Sequence, residues 1–540
     1  EACEKYDKAT KIDPKYVYAY YNWGKALFYL GKLNSDPEKL QEACEKYDEA
    51  NKIAPKNAIE RRNWGNALSA LGKLNSDPMK LQEACGKYDE AIKIDPNYAI
   101  AYFEWGTVLS NLGKLNSDPE KLQEACEKYD EATKIDPKHS DAYYSWGTTL
   151  SILGKSNSDS EKFHDACEKF DEATKIDPKY AIAYYNWGTI LSFLGELNSD
   201  AEKFQEACEK FDEATKIDPK YADAYYGWGT VLSIFGKSNS DPEKLQEACE
   251  KFDEVTKVDP KHSDAYYNWG TILLDLGKLN SDAEKFHEAC EKFDEATKID
   301  PKFASAYYNW GIILFDLGKL NSDAEKFQEA CEKYDEATKI DPKFVYAYNG
   351  WGTVLSDLGK LNSDPEKLQE ACEKYDKATK IDPKFAYAYC NWGTILSDLG
   401  KLNSDVEKFQ EACEKYDKAT KIDPKYAYAY YNWGITLSDL GKLNSDPEKL
   451  QEAFEKYDKA TKIDPKCVDA YNNWGSALFY LEKLNSDPEK LQEACEKYDK
   501  ATKIDPKYVY AYYNWGKALF YLGKLNSDPE KLQEACEKYD

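Results

Sequence analysis

No apolar run in this sequence is long enough to cross a bilayer as a helix, which takes about 18 residues or more. No Pro-, Gly- or Ser-rich hinge and no shift of composition interrupts its 540 residues. The three or four domains that such a length ordinarily suggests therefore have no visible boundary. There is no G-x-x-x-x-G-K-[ST] loop, no G-x-S-x-G and no H-E-x-x-H. No residue set for catalysis assembles, so an enzyme is not expected, nor a cofactor or a metal. The four histidines are His139, His164, His262 and His287, two pairs 123 residues apart, which marks block duplication. His164 with Cys167, and His287 with Cys290, share a helix face, but two ligands do not make a zinc site. Positive charge is in deficit: the net charge is -26, with Lys interleaved among Glu as on solvated helix faces. That opposes binding to nucleic acid or anionic lipid. Methionine occurs once, at Met79, and the chain opens on Glu1, so the natural start is expected to lie elsewhere.

What the sequence does have is a period. Tryptophan stands at Trp23, Trp64, Trp105, Trp146, Trp187, Trp228, Trp269, Trp310, Trp351, Trp392, Trp433, Trp474 and Trp515, always 41 residues apart and nowhere else. A fixed period in the 20–50 range marks a solenoid, propeller or array. Thirteen of the fifteen cysteines also share one column, Cys3, Cys44, Cys85 and onward to Cys536, with Phe454 filling one place in it. Equivalent residues of stacked helices sit roughly 10 Å apart, beyond the reach of about 7 Å that a disulfide allows. The column therefore reads as packed free thiols. Unpaired cysteine leans towards a reducing compartment and is compatible with an extracellular fibre as well.

Residues 14–55 show one repeat. Pro14 ends one helix, and 15–31 reads as the next, with Ala19, Tyr20, Trp23, Gly24, Leu27 and Leu30 at helical spacing. Gly24 inside a helix costs about 1 kcal/mol against alanine, which points to a neighbouring helix too close for a Cβ. Gly31 reads as a C-terminal cap. Asp36 as N-cap before Pro37, or Ser35 with Glu38 as a capping box, starts the second helix. That helix is expected over 37–53, with Leu40, Ala43, Cys44, Tyr47, Ala50 and Ile53 inward, and Pro55 closes the unit.

These residues resemble the tetratricopeptide repeat: Trp23-Gly24 in the first helix, then Ala43-x3-Tyr47, Ala50 and Pro55. The resemblance covers the whole chain. It implies an all-α fold, an α-solenoid in which about 13 antiparallel helix pairs, one to each tryptophan period, wind into a right-handed superhelix. The Pro-closed pair with A-x3-Y argues against HEAT repeats, and the absence of alternating strands and of a W-D signature argues against WD40 blades. The period is 41 and not the family's 34, which leads us to expect a longer second helix and a wider first turn around 33–39.

Residues 1–540 read as a single continuous array. Residues 1–48 are identical to 493–540, and neither end shows a divergent cap. Solenoids normally need polar caps, so a segment of a longer array, or end-to-end self-association, is expected. Repeats differ where such a superhelix presents its inner groove. The Tyr21 column holds Tyr144, Tyr185, Tyr226, Tyr267 and Tyr308, broken by Arg62, Phe103, Asn349, Cys390 and Asn472. Beside it the Asn22 column holds Asn186, Asn268 and Asn309, with Glu104, Ser145, Gly227 and Gly350 as exceptions. Asp275, Asp316, Asp357, Asp398 and Asp439 form an acidic row. The leading expectation is a non-enzymatic structural scaffold in a long or filamentous assembly. The alternative is a protein–protein interaction adaptor holding an extended peptide on the Tyr/Asn/Asp groove. The tryptophans are expected to be core residues, with truncation of Trp228 to alanine costing about 3–5 kcal/mol.

Overall fold

A computed structural model describes residues 1–157, 159–280 and 282–539. The chain forms two compact units, Glu1–Ile272 and Leu273–Asp540, and the boundary falls inside the helix Ser263–Asn280. Each unit is an α-solenoid. In the first, helix pairs run from Val17–Asn34 with Pro37–Ile53 to Ala222–Asn239 with Pro242–Val258. In the second they run from Ala304–Asn321 with Ala324–Ile340 to Val509–Asn526 with Pro529–Tyr539. Within each unit the helix pairs pack chiefly on the helices before and after them in the chain.

The second helix of the pair begins and ends where the apolar period places it. Asp36 is the N-cap, its carboxylate accepting from the Glu38 and Lys39 amides at 3.0 and 3.2 Å, so the capping-box alternative is not the one used. The first helix differs from expectation. It starts at Val17, passes through Gly31 and ends at Asn34. Gly31 is not the cap: a Cβ there would lie 2.9 Å from the Leu40 side chain, so its glycine serves close approach of the second helix. The cap is Ser35, held left-handed at φ 48°, and the Asp36 amide returns to the Gly31 carbonyl at 2.8 Å. The connection is therefore short, Ser35 and Asp36 alone, and the added length of the repeat lies in the helices and not in a wider turn.

The core of each repeat is small side chains around one large ring. Ala43 and Ala50 are fully buried, and Tyr47 is 1% exposed. Gly24 faces that ring: a Cβ would meet Tyr47 Cε1 at 3.0 Å, and the glycines after Trp64, Trp146, Trp351 and Trp474 meet the ring of their own second helix in the same way. The second unit repeats this with Tyr334, Tyr375, Tyr416 and Tyr457.

Candidate functional site

The tryptophans are half-buried and lie beside the core rather than at its centre. The aliphatic stem of a second-helix lysine brings its ammonium over the ring: Lys251 stands 3.7 Å from the Trp228 centroid and Lys374 3.2 Å from Trp351. The other edge meets the cysteine column. Burial pushes Cys167 up to about 12, while the indole of Trp187 in the following repeat pulls the other way. Truncating Trp228 would remove an inter-repeat contact and a cation–π pair, not a sealed core residue.

The Tyr21 column lies between repeats. Tyr144 packs 6.1 Å from Phe170 of its own repeat and 5.1 Å from Tyr180 of the next. Tyr185 stands in the same way between Phe211 and Tyr221, Tyr226 between Phe252 and His262, and Tyr308 between Tyr334 and Phe344. The Asn22 column supplies the rungs. The Asn186 amide donates to the Tyr144 hydroxyl at 3.0 Å, Asn268 to Tyr226 at 2.9 Å and Asn473 to Tyr431 at 3.0 Å. Burial first, then Asp264, pushes the Tyr226 hydroxyl up from its ordinary value, so it keeps its proton. A hydroxyl that accepts from asparagine and keeps its proton still has one donor bond to give. Tyr267 and Asn309 are half-buried, as are Tyr144, Tyr185, Tyr226 and Tyr308.

The acidic row belongs to the second unit, and there it is neutralised. Asp316 pairs with Lys278 at 3.5 Å, Asp357 with Lys319 at 3.6 Å, Asp398 with Lys360 at 2.9 Å and Asp439 with Lys401 at 2.8 Å. Each lysine comes from the repeat before. Asp275 is half-buried in the same column.

The first unit holds a polar network that column-by-column reading does not assemble. Arg62 Nε lies 3.3 Å from Glu104 Oε2, and Arg62 donates to the Tyr98 hydroxyl at 2.9 Å. Asn66 donates to Glu104 at 3.0 Å and accepts from the Tyr88 hydroxyl. Burial pushes the Glu104 carboxyl up, and Arg62 opposes the shift. The signal is present in the sequence: Arg62, Asn66 and Glu104 leave their columns together in adjacent repeats.

A family model described as TPR repeat matches residues 1–31, 406–441 and 488–523. A model described as plant specific mitochondrial import receptor subunit TOM20 matches residues 82–184 and 245–342. No curated protein matches the sequence. Among solved structures the chain is similar to YrrB, a TPR protein with an unusual peptide-binding site, at 24% identity over 41% of this chain and 96% of that one, with a TM-score of 0.29. It is similar to yeast Tom70 at 16% identity over 87% and 99%, TM-score 0.34. A thermophilic TPR protein of Thermus thermophilus is 18% identical over 40% and 99%, TM-score 0.30.

Proposed function

We propose that this chain, a tetratricopeptide-repeat protein, is a non-enzymatic interaction scaffold that holds an extended polypeptide along its tyrosine–asparagine columns. The observation that carries this reading is the rung geometry. Asparagine fixes the tyrosine hydroxyl from one side, at 3.0 Å for Tyr144 and 2.9 Å for Tyr226, and leaves the hydroxyl proton to donate to a peptide carbonyl. Recurrence of the rung along the array, at Tyr21, Tyr144, Tyr226 and Tyr431, suits a backbone more than a compact small molecule. The match to an import-receptor family over two stretches adds support for a polypeptide partner. The filamentous reading rests on the identical end segments, the lack of a divergent cap and repeat uniformity, and gives way to this one. Among the described residues no helix is long and apolar enough to cross a membrane.

Phage-displayed peptides selected on the full chain test this. Selected peptides are expected to lose about fivefold to tenfold in affinity when Tyr144 and Tyr226 are both changed to Phe, which keeps the rings and removes the donors. Failure to enrich any peptide sinks the reading, as does an affinity untouched by these changes and by Tyr185→Ala.

A further inference from the structure

We propose that the first unit carries a second subsite, a lysine column at Lys32, Lys73 and Lys114 that binds side-chain carboxylates of an acidic segment in the partner. The inference rests on the peptide-scaffold reading above and uses different residues.

The second unit shows what this column binds. There the lysines near the ends of four successive first helices, Lys278, Lys319, Lys360 and Lys401, each meet an aspartate of the following first helix, as in Lys360–Asp398 at 2.9 Å and Lys401–Asp439 at 2.8 Å. In the first unit the positions equivalent to that aspartate, taken from Lys32, Lys73 and Lys114 in turn, are Ala70, Asn111 and Ile152. Among the described residues, none of these three lysines has a carboxylate partner within ion-pair distance. Burial, then the ammonium groups of Lys32 and Lys114 on either side, push Lys73 below its ordinary value. Like charges stacked in this way repel, and an anion between them removes the repulsion.

Space for the anion is present. A groove of about 590 Å³ opens beside Lys32 and Lys73, with Phe28, Tyr29 and Leu74 supplying apolar wall. Its one carboxylate, Glu104, is already held by Arg62 at 3.3 Å and Asn66 at 3.0 Å. The site thus offers ammonium groups beside apolar surface, which suits acidic residues alternating with apolar ones. The net charge of -26 repels a polyanion such as nucleic acid, which has no apolar side chains to place on the wall. Repeats stack at about 10 Å, and an extended chain advances about 3.3 Å per residue. Carboxylates on every third residue therefore fall in step with the lysines. A series of lysines, one per repeat, calls for several side-chain carboxylates and not for one chain terminus.

The test is fluorescence polarisation with a labelled, C-terminally amidated peptide of Glu-Leu-Ser repeats, on the full chain. Lys73→Glu is expected to weaken binding by at least about tenfold. The double variant Ala70→Asp with Asn111→Asp keeps every lysine and installs the second unit's internal carboxylates; it is expected to weaken binding comparably. Lys401→Glu, in the second unit, is expected to leave binding unchanged, and the Gln-Leu-Ser peptide is expected not to bind. Circular dichroism checks that each variant is folded. Equal binding of the Gln peptide, or affinity unchanged in both first-unit variants, overturns the proposal. If library-selected peptides still depend on Tyr144 and Tyr226 in that event, only this subsite falls. If no peptide of any kind binds, both readings fall.

Discussion

Burial decides the chemistry of single residues here, and the cysteine column shows it most clearly. Cys44, Cys126, Cys331 and Cys372 are each pushed up to about 12, mainly by removal of the thiol from water. An unfolded thiol titrates near about 8.5. Below that value both states hold the proton and the column contributes no pH dependence. As pH rises past it, the unfolded chain releases protons that the folded chain keeps, so stability is lost. We expect the urea midpoint to be flat between about pH 6 and 8 and to fall between about pH 9 and 11. In a variant with Cys331, Cys372 and Cys413 changed to alanine, the part of the fall below about pH 10 should shrink, since tyrosine contributes only above that point. That these residues pack as thiols is legible from the column and from Phe454, an apolar ring in one of its slots. The lysine over the tryptophan is not. That contact joins two helices, and helical periodicity speaks only of faces within one.

Among the elements, the second helix is legible to the residue because Asp, Pro and the apolar period all agree on its limits. The end of the first helix is not, because glycine both caps helices and admits close neighbours. Here Gly31 does the second, and serine takes the left-handed cap. An L-residue other than glycine pays roughly 1–2 kcal/mol in that conformation. Ser363, at φ 51°, keeps its place in the cap with its amide turned back to the Lys360 and Gly359 carbonyls. A β-branched side chain there has no such tolerance. We expect Ser363→Val to destabilise the pair Val345–Asn362 and Pro365–Ile381 by about 1–2 kcal/mol. Ser363→Gly should be neutral or stabilising by up to about 1 kcal/mol, since relief of strain is offset by the greater freedom of glycine when unfolded. Hydrogen exchange of amides in these two helices reads the difference; equal protection in the two variants would count against the assignment of Ser363 as the strained cap.

Across the molecule, the period of 41 predicts what can be removed. Stability in a stacked solenoid is close to a sum of repeat terms and nearest-neighbour interfaces. Deleting residues 365–405 joins Asp364 to Val406 and restores each contact in kind. Asp364 now caps the helix that Asp405 capped, Gly359 meets Phe409 in place of Leu368, and Gly352 meets Tyr416 in place of Tyr375. Gly400 already packs on Phe409, so a first-helix glycine accepts that larger ring. Lys360 loses Asp398 and gains Asp439, the aspartate that Lys401 held. The shortened chain should therefore keep its ellipticity per residue and its thermal midpoint to within a few degrees. Deleting 365–398 instead, one ordinary period of the family, joins Asp364 to Leu399 inside a first helix. That leaves residues 399–405 as seven extra residues between Asp364 and the helix Val406–Ile422 that carries Phe409 and Tyr416, so the two-residue connection is lost and the thermal midpoint should fall below that of the 41-residue deletion. If both deletions melt alike, the stacking is not governed by the 41-residue register, and the column-by-column contacts described for the second unit do not hold it together.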